Sequence, residues 1–275
     1  MQRWNRDYSE QCIVLARLGF AAKARIRYLP TNTQGRDLIV GDLHGHRQTL
    51  WAALDALGFD PAVDRVISVG DLVDRGPDSP GCLSLLEEPW FHAVKGNHED
   101  LMLGSVRELR GGHGIDPRFT IHQNNGGEWL PRLWPLNESM VRLIDRTGAL
   151  PHVLVVGEAG RRYHVVHAGF PDGVNDKLID RGEPGNPETL MWSRRRGQSL
   201  RQAQGSPAES LKHAAPSLST TYFGHVVCTT PSGQPARGLG HVNLETGVAE
   251  GLCLSIAVRT PDGGEWIHQE PAPTL

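Results

Sequence analysis

The stretch "VISVGDLVDRG", residues 66–76, decides the fold. Its first half is a nearly continuous apolar run. Its second half opens with a glycine and sets Asp71, Asp74 and Arg75 close together. A short apolar run bounded by glycine reads as a strand buried on both faces, the kind found in sheets covered by helices. The glycine lets the chain turn sharply off the strand. Asp71 is thereby delivered to the carboxyl end of a strand, where α/β sheets bind their ligands.

Working outward, the same construction recurs in "RDLIVGD" (36–42), "WFHAVKGN" (90–97), "YHVVHAG" (163–169) and "TTYFGH" (220–225). Between the early runs lie helical patterns. "HRQTLWAALDALG" (46–58) puts Leu50, Ala53, Leu54 and Leu57 on one stripe, and "SPGCLSLLEE" (79–88) carries a similar one. "GHVNLETG", "GLCLSIAVR" and "GEWIHQE" read as closing strands joined by turns. Alternating strands and helices predict an α/β architecture with helices on the sheet faces. Residues 110–129 and 193–213 read as loops or small caps, and long loops in a compact domain are often functional. A helix is expected over Ser9 to Ala24, in an N-terminal extension of about 35 residues.

The chain of 275 residues is long enough for a substantial core, and its formal net charge of −3 does not suggest a nucleic-acid coat or an anionic membrane as partner. Cys12, Cys82, Cys228 and Cys253 are scattered without a C-x-x-C pair, which predicts reduced thiols and a cytoplasmic protein. No apolar run reaches the ~20 residues that span a bilayer. The apolar stretch "CIVLARLGFAA" is interrupted by Arg17 and preceded by many polar residues, so it is not read as a signal peptide.

The expected strand ends supply Asp42 and His44, Asp71, Asn97 and His98, His167, and His225. Singly each has an ordinary reading: Asp42 as a helix cap, Asp71 as a turn residue, His167 as a packed core histidine. Jointly they are an oxygen and imidazole donor set without sulfur, suited to Mn, Fe or Zn rather than to calcium. Asp42, His44, Asp71, Asn97, His167 and His225 make six donors, too many for one ion that also binds substrate, and suit two ions sharing a carboxylate.

"GDLHG", "GDLVDRG", "GNHE", "HAG" and "FGH", in this order and spacing, resemble the signature blocks of the calcineurin-like metallophosphoesterases. "VISVGDLVDRG", "PWFHAVKGNHE" and "GGEW" are most similar to the serine/threonine protein phosphatase branch, and within it to the phage-lambda-type bacterial phosphatases. The resemblance is strong to residue 100, patchy over 101–160 and absent from the extension at 1–35. It implies a four-layer fold, a central β-sandwich of mixed sheets flanked by helices, as one catalytic domain over 36–275. Substrate-loop insertions are expected near 105–135 and 193–215.

The resemblance further implies two divalent ions, manganese first with iron or zinc as alternatives. Asp42, His44 and the bridging Asp71 would hold one; Asp71, Asn97, His167 and His225 would hold the other. A water or hydroxide between the ions would attack phosphorus, with no phosphoenzyme. His98, oriented by Asp74, would protonate the leaving alkoxide. Arg75 and Arg194 would grip phosphate oxygens in the bidentate way a planar guanidinium allows. Lys95 stands where the family has arginine and would offer a point charge instead. His46 is expected near the site, His241 as structural, and His113 and His122 in the glycine-rich insert as candidates for substrate contact. The implied partner is a phosphorylated protein or peptide, with no oligomeric state indicated. The alternative is a dinucleoside polyphosphate hydrolase, whose pattern is close to "GDLVDRGPDS" but carries asparagine at the place of Asp74 and a "GNHD" block. A binding protein that kept the fold without catalysis is a third reading, which the full donor set disfavours.

Overall fold

Two mixed sheets lie face to face, and the alternation of side chains along their strands explains why. The computed structural model describes residues 23–111, 116–158, 160–203 and 217–273. Among them the chain runs β1 (Ile26–Leu29), β2 (Asp37–Val40), α1 (Arg47–Ala56), β3 (Arg65–Ser68), α2 (Ser79–Ser84), β4 (Phe91–Ala93) and α3 (Asn97–Leu109). Then follow α4 (Pro117–Gln123), α5 (Trp129–Arg132), α6 (Glu138–Gly148), β5 (Val153–Val156), β6 (Tyr163–Val166), α7 (Asp176–Asp180), α8 (Pro187–Trp192) and α9 (Arg195–Ala203). The remainder is β7 (Thr221–Phe223), β8 (Arg237–Gly238), β9 (His241–Asn243), β10 (Cys253–Arg259) and β11 (Glu265–Pro271).

One sheet has the order β11-β10-β2-β3-β4, the other β1-β5-β6-β7-β9-β8. In the first, β2, β3 and β4 are parallel, with Ile39 beside Ile67 and Ser68 beside Ala93, while β10 runs antiparallel to β2. In the second, β6, β7 and β9 are parallel and β5 is antiparallel to β6.

Successive strand residues face opposite ways. Ile39, Ile67 and Ala257 of the first sheet therefore meet Leu154, Val165, Tyr222 and Val242 of the second in the layer between them. Their neighbours Leu38, Val40, Val66 and Ile256 face outward onto Leu50 and Leu54 of α1, Leu83 of α2, Met102 of α3 and Ile144 of α6. The outer face of the second sheet packs Val153, Val155, Val166 and Phe223 against Ile179, Leu190 and Leu200 of α7, α8 and α9. The result is the expected helix–sheet–sheet–helix layering. Each such aliphatic side chain contributes about 1.5–3 kcal/mol when fully buried.

The helix expected over 46–58 forms as α1. That over 79–88 forms as α2 with a 3-10 turn at Leu85–Glu87. The helix expected over Ser9 to Ala24 lies outside the described residues except for Lys23 and Ala24, which are not helical. β1 was not expected: it sits beside β5 in parallel at the sheet edge, Ile26 opposite Val153. Part of residues 110–129 folds as the short helix α4, which lies against α3.

Candidate active site

The carboxyl ends of β2, β3 and β4 from one sheet, and of β6 and β7 from the other, converge. The loops leaving them are tightly bent. Among the described residues, the non-glycine positions with left-handed backbone are His44 (φ 42°), Asp71 (49°), Asp74 (75°), Arg75 (69°), His225 (69°) and Leu239 (56°). All but Leu239 are site candidates. Such strained conformations cost of order 1–3 kcal/mol each and persist where the surroundings over-determine them.

Carbonyl oxygens fix the tautomers of three histidines, because a carbonyl only accepts. His44 Nδ1 donates to the Val73 carbonyl (2.9 Å), His167 Nδ1 to that of Val69 (2.9 Å), and His225 Nε2 to that of Trp192 (3.2 Å). In the neutral rings the other nitrogens carry lone pairs. His167 Nε2 and His225 Nδ1 then lie 2.9 and 2.8 Å from the Asn97 side-chain oxygen, and His167 Nε2 is 3.4 Å from Asp71 Oδ1. His44 Nε2 is 3.7 Å from Asp71 Oδ2. Asp71, His167 and His225 form one compact donor group and His44, Asp71 and His98 another, the donor atoms within each lying within 4.8 Å of one another.

Acceptors gathered this closely require a cation or a proton between them. Asp42 adds a further sign: its Oδ1 is buried without a partner, while its Oδ2 accepts the His225 backbone N–H (2.9 Å). Burial and the carboxylates of Glu245 and Asp71 push the Asp42 carboxyl well above its ordinary range. Burial opposes a charge on His167, yet the Asp71 carboxylate outweighs it and raises the imidazole to about 9. The donors fit divalent cations, which would take the place of that proton. Gly224 makes room: a Cβ there would stand 1.9 Å from Asp42 Oδ1.

His98 is fully buried at the start of α3, and its Nδ1 is 2.7 Å from Asp74 Oδ2. The Arg75 guanidinium forks between His44 Nε2 (2.7 Å) and His98 Nε2 (3.0 Å), aiming its donors into the site. Of the three consecutive arginines after α8, Arg196 is turned onto the Phe170 carbonyl and Asp172, and exposed Arg195 faces Asp172. Arg194 is half-buried, and its charge joins burial and His167 in lowering the His225 pKa.

Lys95 does not join the cluster. Its ammonium donates to the Gly148 carbonyl (3.2 Å) and lines a separate groove with Val106, Arg107 and Ile144. Burial, then Arg25, lowers it to about 8. His241 holds the fold: its Nε2 accepts the Phe170 N–H (3.2 Å) and its Nδ1 donates to the Leu239 carbonyl (2.7 Å). His113 lies outside the described residues.

Two contributors escaped the reading of the sequence, and a third, His122, has another place than the one expected. Glu99, buried and raised to about 7 by burial and Asp71, accepts the backbone N–H groups of Asp71, Leu72 and Gly96, tying together the loops that follow β3 and β4. Its place in "GNHE" was the available signal. Glu245, raised to about 8 chiefly by burial, acts electrostatically on Asp42. His122 is fully buried against Asp74 rather than open to substrate.

Fold and site together define a phosphoesterase that works with metal ions. Residues 36–231 match the model of the calcineurin-like phosphoesterase family, and the chain belongs to that family. It is similar to serine/threonine-protein phosphatase 1 of Salmonella typhimurium strain LT2, 36% identical over 164 residues that cover 58% of this chain and 68% of that protein. It is also similar to the symmetrical bis(5'-nucleosyl)-tetraphosphatase of Pseudomonas putida strain GB-1, 32% identical over 170 residues covering 56% of each chain. A solved serine/threonine phosphatase from Saccharomyces cerevisiae shares the fold, with a TM-score of 0.58 at 15% identity, covering 98% of this chain and 89% of that one.

Proposed function

We propose that this protein hydrolyses phosphomonoesters of serine and threonine in proteins or peptides. The observation that carries this is the buried His98–Asp74 pair beside the gathered acceptors, at 2.7 Å. An alkoxide is a poor leaving group, and a placed acid typically gains about 10²–10⁴-fold. The pyrophosphate linkage of a dinucleotide has less need of one. Similarity to bacterial serine/threonine phosphatases supports the same substrate class.

Asp42, His44 and Asp71 would hold one cation, and Asp71, Asn97, His167 and His225 the other. Bound there, such ions supply Lewis acidity toward phosphate and an acidified water. Nitrogen and oxygen donors together suit Mn, Fe or Zn, with manganese the ion to test first. Arg75 and Arg194 orient phosphate oxygens. His98 gives its Nε2 proton to the leaving oxygen as the P–O bond breaks, and Asp74 holds the opposite ring nitrogen. The free thiols of Cys82, Cys228 and Cys253 support a cytoplasmic place of action. No helix among the described residues is long and apolar enough to cross a membrane.

The second reading, hydrolysis of dinucleoside polyphosphates, rests on the tetraphosphatase relative. Metal-stripped protein reconstituted with manganese, given a phosphothreonine peptide and diadenosine tetraphosphate side by side, separates the two. Faster release of phosphate from the peptide is expected; preference for the dinucleotide overturns the proposal.

A further inference from the structure

Asp74 has two oxygens, and His98 uses only one of them. The other, Oδ1, accepts from His122 Nε2 (3.0 Å) and from the Trp129 indole N–H (2.7 Å). Asp74 and His122 are both fully buried. Because a carboxylate held ionised only accepts, His122 carries its proton on Nε2. Its Nδ1 is buried with no partner. The ring is seated by close approach of the backbone: a Cβ on Gly127 would stand 2.4 Å from its ring carbons. Both donors come from the block "HQNNGGEW" (122–129), away from the strand ends that carry the metal-donor candidates.

We propose that His122 and Trp129 are positioning residues for the general acid, acting through Asp74. This rests on the reading of His98 as that acid. Two donors on Oδ1 fix the rotation of the carboxylate, so that Oδ2 faces the His98 ring. With the carboxylate so held, the His98 ring is fixed by its Nδ1 on Oδ2 (2.7 Å), and its Nε2 is the nitrogen left for a leaving oxygen. Burial works to raise the Asp74 carboxyl, and the hydrogen bonds from His122 and then His98 outweigh it, holding it well below the usual carboxylate range. Hydrogen bonds to a charged group, once removed, leave the buried charge under-satisfied.

The test is leaving-group dependence, which a merely structural role would not produce. Protein loaded with manganese is assayed on a phosphothreonine peptide, whose alkoxide needs a proton, and on 2,4-dinitrophenyl phosphate, whose phenolate does not. His122→Leu is expected to lower kcat on the peptide about ten- to a hundredfold, with little change in KM and little loss on the aryl ester. His122→Gln, which keeps an N–H donor, should restore most of the peptide activity. Trp129→Phe, which keeps the ring and loses the donor, should reproduce the split if His122→Leu fails to fold. His98→Asn is the reference for the reading beneath the proposal, and should show the largest split. A split at His98→Asn with equal losses, or none, on both substrates at His122→Leu and Trp129→Phe overturns the inference alone. No split at His98→Asn removes the acid reading and the inference with it.

Discussion

The two ends of the sandwich are both charged and both buried, yet they are built on opposite terms. At the end away from the site, Arg65, Arg36 and Arg259 each meet a carboxylate. Arg65 grips Asp37 with two bonds (2.7 and 2.8 Å), and the Tyr163 hydroxyl donates to the same carboxylate (2.7 Å). Arg36 does the same with Asp64, and Arg259 reaches both Glu265 and the Tyr222 hydroxyl. At the site end, acceptors face acceptors, Asp42 Oδ1 has no partner, and five non-glycine residues sit in left-handed backbone. A satisfied network rigidifies a fold, whereas an unsatisfied one in a strained setting marks a place kept for something else.

The contrast breaks most sharply at Asp71. Asp71→Asn should remove turnover beyond the about 10²–10⁴-fold that loss of a general acid costs, while the melting temperature of the metal-stripped protein holds or rises. A fall in that temperature would mean the site end also supports the fold. Gly224→Ala crowds Asp42 without altering any ligand. It should weaken metal retention by about 10–100-fold, read as metal content after dialysis, and unchanged content would remove Asp42 from the ligand set. At the other end, Asp37→Ala strands a mostly buried arginine and should cost about 3 kcal/mol in urea unfolding, with kcat on the peptide unchanged.

The smallest effect sharpens the comparison by pH. Burial works to raise the Asp64 carboxyl, and the Arg36 hydrogen bonds outweigh it and hold it below its ordinary value. Stability from a depressed carboxyl is complete above the unfolded value of about 3.9 and is lost as pH falls through the folded one. Unfolding free energy measured downward from pH 5 should therefore fall less steeply in Asp64→Asn than in the parent. Parallel curves would show that the pair contributes nothing.

Local sequence carried a great deal of this. Short apolar runs, glycines near their ends, and the donors that follow are properties of short segments. They determined which residues form β2, β3, β4, β6 and β7 and that each strand delivers its donor side chains at the same end. Asp42, His44, Asp71, Asn97, His167 and His225 were named from that pattern, as were the α1 and α2 helices. Tertiary structure alone decided the pairing of β1 with β5, the turning of Lys95 toward Gly148, which of three arginines stands near His225, and the joining of His122 and Trp129 to Asp74 across 48 and 55 residues of chain. The physical reason is range. Periodicity and turn chemistry are set within a few residues, but which buried polar groups become partners depends on how sheets and helices pack, and packing minimises unsatisfied groups over the whole molecule.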